Sequence, residues 1–141
     1  MNSDPRSQAF LANARLIYEE AKESLTRGHY HRTLRKCQEA VELALKGYLL
    51  FLGLDYPRVH DVAPEIREVV LRMHLASDAE LEQLTRASAR LRAEREISFY
   101  GDEDGTPPQE LFDASDGEQA LSDCRLVLEF VEKSRPGQPP V

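Results

Sequence analysis

The sequence predicts an all-α bundle. Apolar residues recur at three- and four-residue steps through most of the 141 residues, no segment alternates like a half-buried strand, and Gly or Pro separates the periodic stretches. The first helix opens at Asp4 and Pro5, a capping side chain followed by the residue favoured in a first turn. Phe10, Ala14, Ile17, Ala21 and Leu25 form its stripe, and Gly28 stops it. The second helix runs from about His29 to Leu52 with Leu34, Cys37, Val41, Ala44, Tyr48 and Phe51 inward, and Gly53 ends it. So short a link between two long helices predicts an antiparallel hairpin.

After the loop at Asp55-Tyr56-Pro57, Asp61 is the expected N-cap of a shorter third helix carrying Val62, Ile66, Val69 or Val70, and Met73. Ser77 and Glu80 form a capping box that starts a fourth helix, striped by Leu81, Leu84, Ser88 and Leu91 and continuing to about Tyr100-Gly101. The segment GDEDGTPPQELFDASDG reads as a long exposed loop. Ser115 and Glu118 then suggest a second capping box, opening a fifth helix with Ala120, Cys124, Val127 and Val131 on one side and Leu121 and Leu128 beside them. The tail SRPGQPPV is expected to fray. Residues 1–135 are therefore read as one domain and residues 136–141 as a disordered tail.

Composition excludes several classes of function. Eighteen basic against 25 acidic side chains give a formal charge of −7, which opposes broad electrostatic capture of nucleic acid but leaves room for a local basic groove. No apolar run approaches the ~20 residues of a spanning helix, and the start MNSDPRSQ lacks a signal-peptide pattern, so a cytoplasmic protein without membrane association is expected. Cys37 and Cys124 sit among apolar residues without a CxxC or Cys/His frame and read as reduced, buried thiols. None of His29, His31, His60 or His74 follows a Glu by three residues, which removes the di-iron pattern. HExxH, GxSxG, Walker and GxGxxG motifs are absent from the sequence, and neither a metal nor a cofactor is expected. His60-Asp61 reads as a helix start, His29 and His31 as part of a solvated turn, and His74 as a residue at a helix end where the dipole favours a cation.

The informative run is RASARLRAEREISFYGDED. Arg86, Arg90, Arg92 and Arg95 fall within ten residues, and Arg86 and Arg90 share a face near Glu94. One reading is a solvated face laced with Arg-Glu pairs. The other is an anion site at Arg90, Arg92 and Arg95, with Ser98, Tyr100 and Asp102 adding hydroxyl and carboxylate groups where the helix ends. Lys46 on the second helix is a further candidate anion contact, or else a snorkelling lysine.

The block GHYHRTLRKCQEAVELALKGYLLFLGLDYPRVHDV resembles the central hairpin of HEPN domains: Gly28 and Tyr30, then Gln38 to Glu42 continuing into Ala44-Leu45-Lys46, then Gly53, Pro57 and His60-Asp61. Arg95, Tyr100-Gly101-Asp102, Glu118-Gln119-Ala120 and the run Val127 to Val131 extend the likeness from about Ala9 to Val131. The resemblance implies a four- to five-helix up-and-down bundle that pairs as a homodimer, with a cleft for a nucleotide or RNA, often encoded beside a minimal nucleotidyltransferase in a two-component, toxin–antitoxin-like system. Many members are metal-independent ribonucleases whose motif is an Arg followed after four to six residues by a His. Here Arg95 takes the Arg position and Tyr100 follows after four residues; a phenol with an ordinary pKa of about 10 is a poor general base at neutral pH. Arg67 and His74 match a similar spacing on a different helix from the family's. The resemblance, with this departure at Tyr100, thus implies a nucleotide- or RNA-binding module, with a ribonuclease toxin and a non-catalytic dimeric scaffold as alternatives.

Charge is unevenly spread. Asp102, Glu103, Asp104, Glu110, Asp113, Asp116 and Glu118 form a stretch without Lys or Arg, and setting these seven aside leaves 18 acids against 18 bases. The whole formal −7 belongs to one loop and the turn after it. That placement suggests a loop that screens or gates the arginine run.

Overall fold

The computed structural model of the chain describes residues 4–135. Among them the chain forms six α-helices and no strand: α1 Pro5–Thr26, α2 Tyr30–Phe51, α3 Ala63–Met73, α4 Asp78–Ala93, α5 Arg95–Tyr100 and α6 Ala114–Lys133, with a 3₁₀ turn at Pro108–Glu110 before the last. None of these helices is long and apolar enough to cross a membrane.

Helix α1 starts where Asp4 accepts the Arg6 backbone N–H, with Pro5 in the first turn. Gly28 and Gly53 hold positive φ after α1 and α2. The hairpin these stops create is the most closely packed pair in the bundle, and α2 is its centre, touching every other helix. Three predicted stripes are buried throughout: Leu34, Cys37, Val41, Ala44, Tyr48 and Phe51 on α2, Leu81, Leu84, Ser88 and Leu91 on α4, and Ala120, Cys124, Val127 and Val131 on α6. Of the α3 stripe, Val62, Ile66 and Val70 are buried, but Met73, expected beside them, is exposed at the helix end. Leu11 takes the inward place beside Phe10, which lies half-buried at the rim. At Gly47 helix α1 comes so near that an added Cβ would stand 3.1 Å from the Leu11 side chain and from the Phe10 Cβ, and the Ser7 hydroxyl donates to the Gly47 carbonyl at 2.8 Å. Cys37 and Cys124, both free and buried, meet across α2 and α6; the neighbouring Cys124 thiol, then burial, push the Cys37 thiol up.

Four expectations are corrected. Val62, not Asp61, is the N-cap of α3; Asp61 stands one residue earlier and still accepts from the Ala63 N–H at 3.1 Å and from the Ser88 hydroxyl at 2.7 Å. The fourth helix breaks at Glu94, so α5 is a separate six-residue helix. The capping box of α6 is Asp113 with Asp116, two residues ahead of Ser115 and Glu118, and each carboxylate accepts the other's backbone N–H. Ser134 and Arg135 are buried against the body instead of frayed, while the remaining tail lies outside the described residues. The Ser77 and Glu80 box on α4 forms as expected.

Candidate functional site

The arginines of the predicted run divide. Arg86 pairs with Glu82 along its own helix at 2.7 Å, in the open. Arg90 reaches across to α6, where its Nε and Nη2 donate to the two Asp123 carboxylate oxygens at 3.0 and 2.6 Å. Gln119 donates to the same carboxylate at 3.0 Å. Asp123 is buried, so this fork joins α4 to α6, and the hydrogen bond and charge of Asp123 raise the Arg90 pKa further. Glu94, expected beside Arg86 and Arg90, bonds to neither among the described residues. Arg92 is half-buried and joins no such contact among them.

Arg95 is placed differently because the break at Glu94 turns α5 toward α2. Its Nε donates to the Gln38 side-chain carbonyl at 3.1 Å, and its guanidinium lies 5.0 Å from the centre of the Phe99 ring. Arg35 of α2 approaches the same ring at 3.9 Å, a cation–π contact with a planar donor group. Arg32, Lys36 and Glu39 complete a small groove beside Arg35 and Phe99. A wider one of about 660 Å³ continues along Arg27, His29, His31, Arg32 and Lys36. Arg27 is paired with Glu23 and Lys36 with Glu20, whereas Arg32, Arg35 and Arg95 have no ion pair among the described residues. His31 registers the local field: burial first, then the charges of Arg32, Arg35 and His29, hold it below the ordinary imidazole range.

The other predicted residues have local roles. The buried Ser98 hydroxyl donates to the Arg95 carbonyl at 2.7 Å. Tyr100 is 81% exposed and its ring contacts Phe99, the ring that Arg95 also approaches; no hydrogen bond joins Arg95 to Tyr100 among the described residues. The Asp102 carboxylate accepts the Asp104 and Thr106 backbone N–H groups at 3.0 and 2.9 Å and shapes the following turn. Lys46 is committed to Glu42 at 2.8 Å.

Glu42 is the hub of a second polar group. Its Oε1 accepts from Gln38 at 3.1 Å and stands 2.9 Å from His60 Nδ1. Since Gln38 also binds Arg95, hydrogen bonds connect His60 to Arg95 through two side chains of α2. Burial alone would raise the Glu42 carboxyl, but hydrogen bonds from Lys46, Gln38 and His60 and the charge of Lys46 outweigh it and hold the group below its ordinary 4.5. A carboxyl depressed in the folded state stabilises the fold above pH 4.5 and loses that contribution as pH falls through the folded value. Glu42→Gln is therefore expected to flatten this part of the acid-unfolding curve, followed by circular dichroism; an unchanged slope would contradict the network.

The family described as HEPN domain matches residues 7–134. The chain belongs to the HEPN domain family. The HEPN fold is also shared with solved structures. TT1696 from Thermus thermophilus is 27% identical, with a TM-score of 0.76, covering 93% of this chain and 99% of that one. ST0689, an archaeal HEPN homologue, is 21% identical with a TM-score of 0.68, over 92% and 98% of the two chains. No curated protein matches the chain. In this HEPN domain the sequence singles out Arg95 but not Gln38 and Phe99, which it meets, nor Arg35, which approaches the same ring, nor Glu42, one hydrogen bond beyond Gln38. The missed signal was the run HYHRTLRKCQE, where Arg32, Arg35, Lys36 and Glu39 recur at helical steps on the outer side of the helix.

Proposed function

We propose that this HEPN domain binds single-stranded RNA along the outer stripe of α2 and α5, within a nucleotide- or RNA-binding module. The observation that carries the reading is the meeting of Arg35 and Arg95 on the single ring of Phe99. Two forks of donors, anchored by that ring and by Gln38, lose less freedom on meeting phosphate than unsupported side chains would. Arg32 extends the stripe. Three arginines without an ion pair among the described residues favour a strand with several phosphates over one mononucleotide, and guanidinium planes suit unstacked bases. Homodimerisation and a separately encoded minimal nucleotidyltransferase partner are added to this reading by the family resemblance.

Fluorescence anisotropy with a labelled single-stranded RNA tests the proposal. Arg35→Ala and Arg95→Ala are each expected to weaken binding about 10- to 100-fold, the effect of one charge-assisted contact. Three neutralised phosphates predict a log–log salt slope of about −2, falling in magnitude by about 0.7 in either variant. Affinity within twofold of the parent in both variants would sink this site.

A further inference from the structure

A second recess lies farther along α2, where the chain returns from α2 toward α3. It measures about 300 Å³ and is lined by Phe10, Glu42, Lys46, Tyr56, Arg58 and His60, among others. That volume is at the small end for a ligand site and suits one nucleotide-sized molecule. Its lining combines two chemistries. The Phe10 and Tyr56 rings lie 5.6 Å apart and tilted by 48°, presenting aromatic surface to a planar group. Arg58, His60 and Lys46 share the lining with them, and Glu42 is its one acid.

These groups are not equivalent. Lys46 is only 11% exposed and bonded to Glu42, and its ammonium stands 5.3 Å from the Tyr56 ring centre, so it neutralises Glu42 and steadies the ring. His60 is 45% exposed and its Nδ1 is engaged by Glu42. This leaves Nε2 for a ligand, with the imidazole oriented by a carboxylate. Arg58 is exposed and without an ion pair among the described residues. The recess therefore carries a net positive charge beside aromatic surface.

We infer that this recess holds one phosphorylated nucleotide unit, its ring against Phe10 and Tyr56 and its terminal phosphate at Arg58 and His60. The inference goes beyond strand binding: it places a distinct, end-recognising site on the same helix. A free 5′-nucleotide and the 5′-phosphorylated end of an RNA share this chemistry, and two measurements separate them. Anisotropy compares one RNA bearing a 5′-phosphate with the same RNA bearing a 5′-hydroxyl. NMR follows the aromatic signals of Phe10 and Tyr56 during titration with AMP, adenosine and inorganic phosphate.

For an RNA end, the phosphorylated strand is expected to bind about tenfold tighter, a preference that Arg58→Ala erases. For a free nucleotide, AMP saturates the ring signals while the two strands bind alike, and Arg58→Ala and Tyr56→Leu each weaken AMP about tenfold. Either result supports the recess as the site. Equal strand affinities with ring signals unmoved by AMP overturn it, as does inorganic phosphate binding as tightly as AMP. Because the AMP titration involves no strand, it stands even if the RNA reading of α2 and α5 fails. Arg58 lies in an exposed loop segment, so its replacement leaves the core intact.

Discussion

Tyr48→Ala is expected to lower the unfolding free energy by about 3–5 kcal/mol, the cost of deleting a large aromatic side chain from a packed interior. Tyr48 is fully buried. Its ring lies 6.2 Å from Phe51, nearly parallel, and 5.9 Å from Phe130, edge to face. These contacts join two turns of α2 to the end of α6. The hydroxyl donates to the Ser134 carbonyl at 3.2 Å, which ties the chain beyond α6 to the central helix. Burial pushes the phenol up, partly offset by that hydrogen bond, so the group remains a neutral donor. Tyr48→Phe keeps the rings and removes only the hydroxyl, with an expected cost of about 1–3 kcal/mol from the unsatisfied carbonyl. Urea denaturation of both variants separates the two contributions. A cost below that of Tyr48→Phe for the alanine variant would contradict this packing.

Gly101→Ala is expected to cost about 3 kcal/mol, combining a backbone region that L-residues avoid with a direct collision. Gly101 has φ 87° and ψ −171°, and an added Cβ would stand 2.2 Å from the Thr106 carbonyl oxygen. That oxygen accepts the Asp102 N–H at 3.2 Å, so the clash falls on the hydrogen bond that closes the turn. Gly105 is the internal control. Its φ is 81°, but nothing lies within 4 Å of its added Cβ, and its replacement by Ala is expected to cost only the conformational penalty of about 1–2 kcal/mol. A variant at Gly101 no more destabilised in urea than the one at Gly105 would show that the turn opens without loss.

The bundle was legible because its signals are local. Asp4 accepts the Arg6 N–H, and Ser77 and Glu80 bond to each other's backbone, all within three residues, so their chemistry can be read from spacing alone. The core stripes follow for the same reason. The misplaced start of α6 comes from competition between near-equals, since Ser115 with Glu118 fits the usual capping pattern and Asp113 with Asp116 shares its spacing with a shorter carboxylate in the Glu place. The earlier pair forms the box because Asp113 is the residue in extended backbone, at φ −114° and ψ −178°. The break at Glu94 has no Gly or Pro to announce it. It turns α5 so that Arg95 meets Gln38, a pairing across 57 residues, and no periodicity reports such a distance. Asp123 was hidden in the same way, as a polar residue in an apolar stripe whose partner Arg90 lies 33 residues away.

The short α5 makes order and occupancy a single equilibrium. Six residues lie well below the roughly 12–15 at which a helix becomes even marginal in water by itself, so α5 persists through what it touches on α2. A strand that engages Arg35 on one helix and Arg95 on the other adds links between them and draws down the population in which α5 has come away. The free energy of keeping α5 in place is then shared with the ligand. Substitutions that loosen the helix weaken binding without removing a single contact to the strand, and a bound strand protects the helix in return.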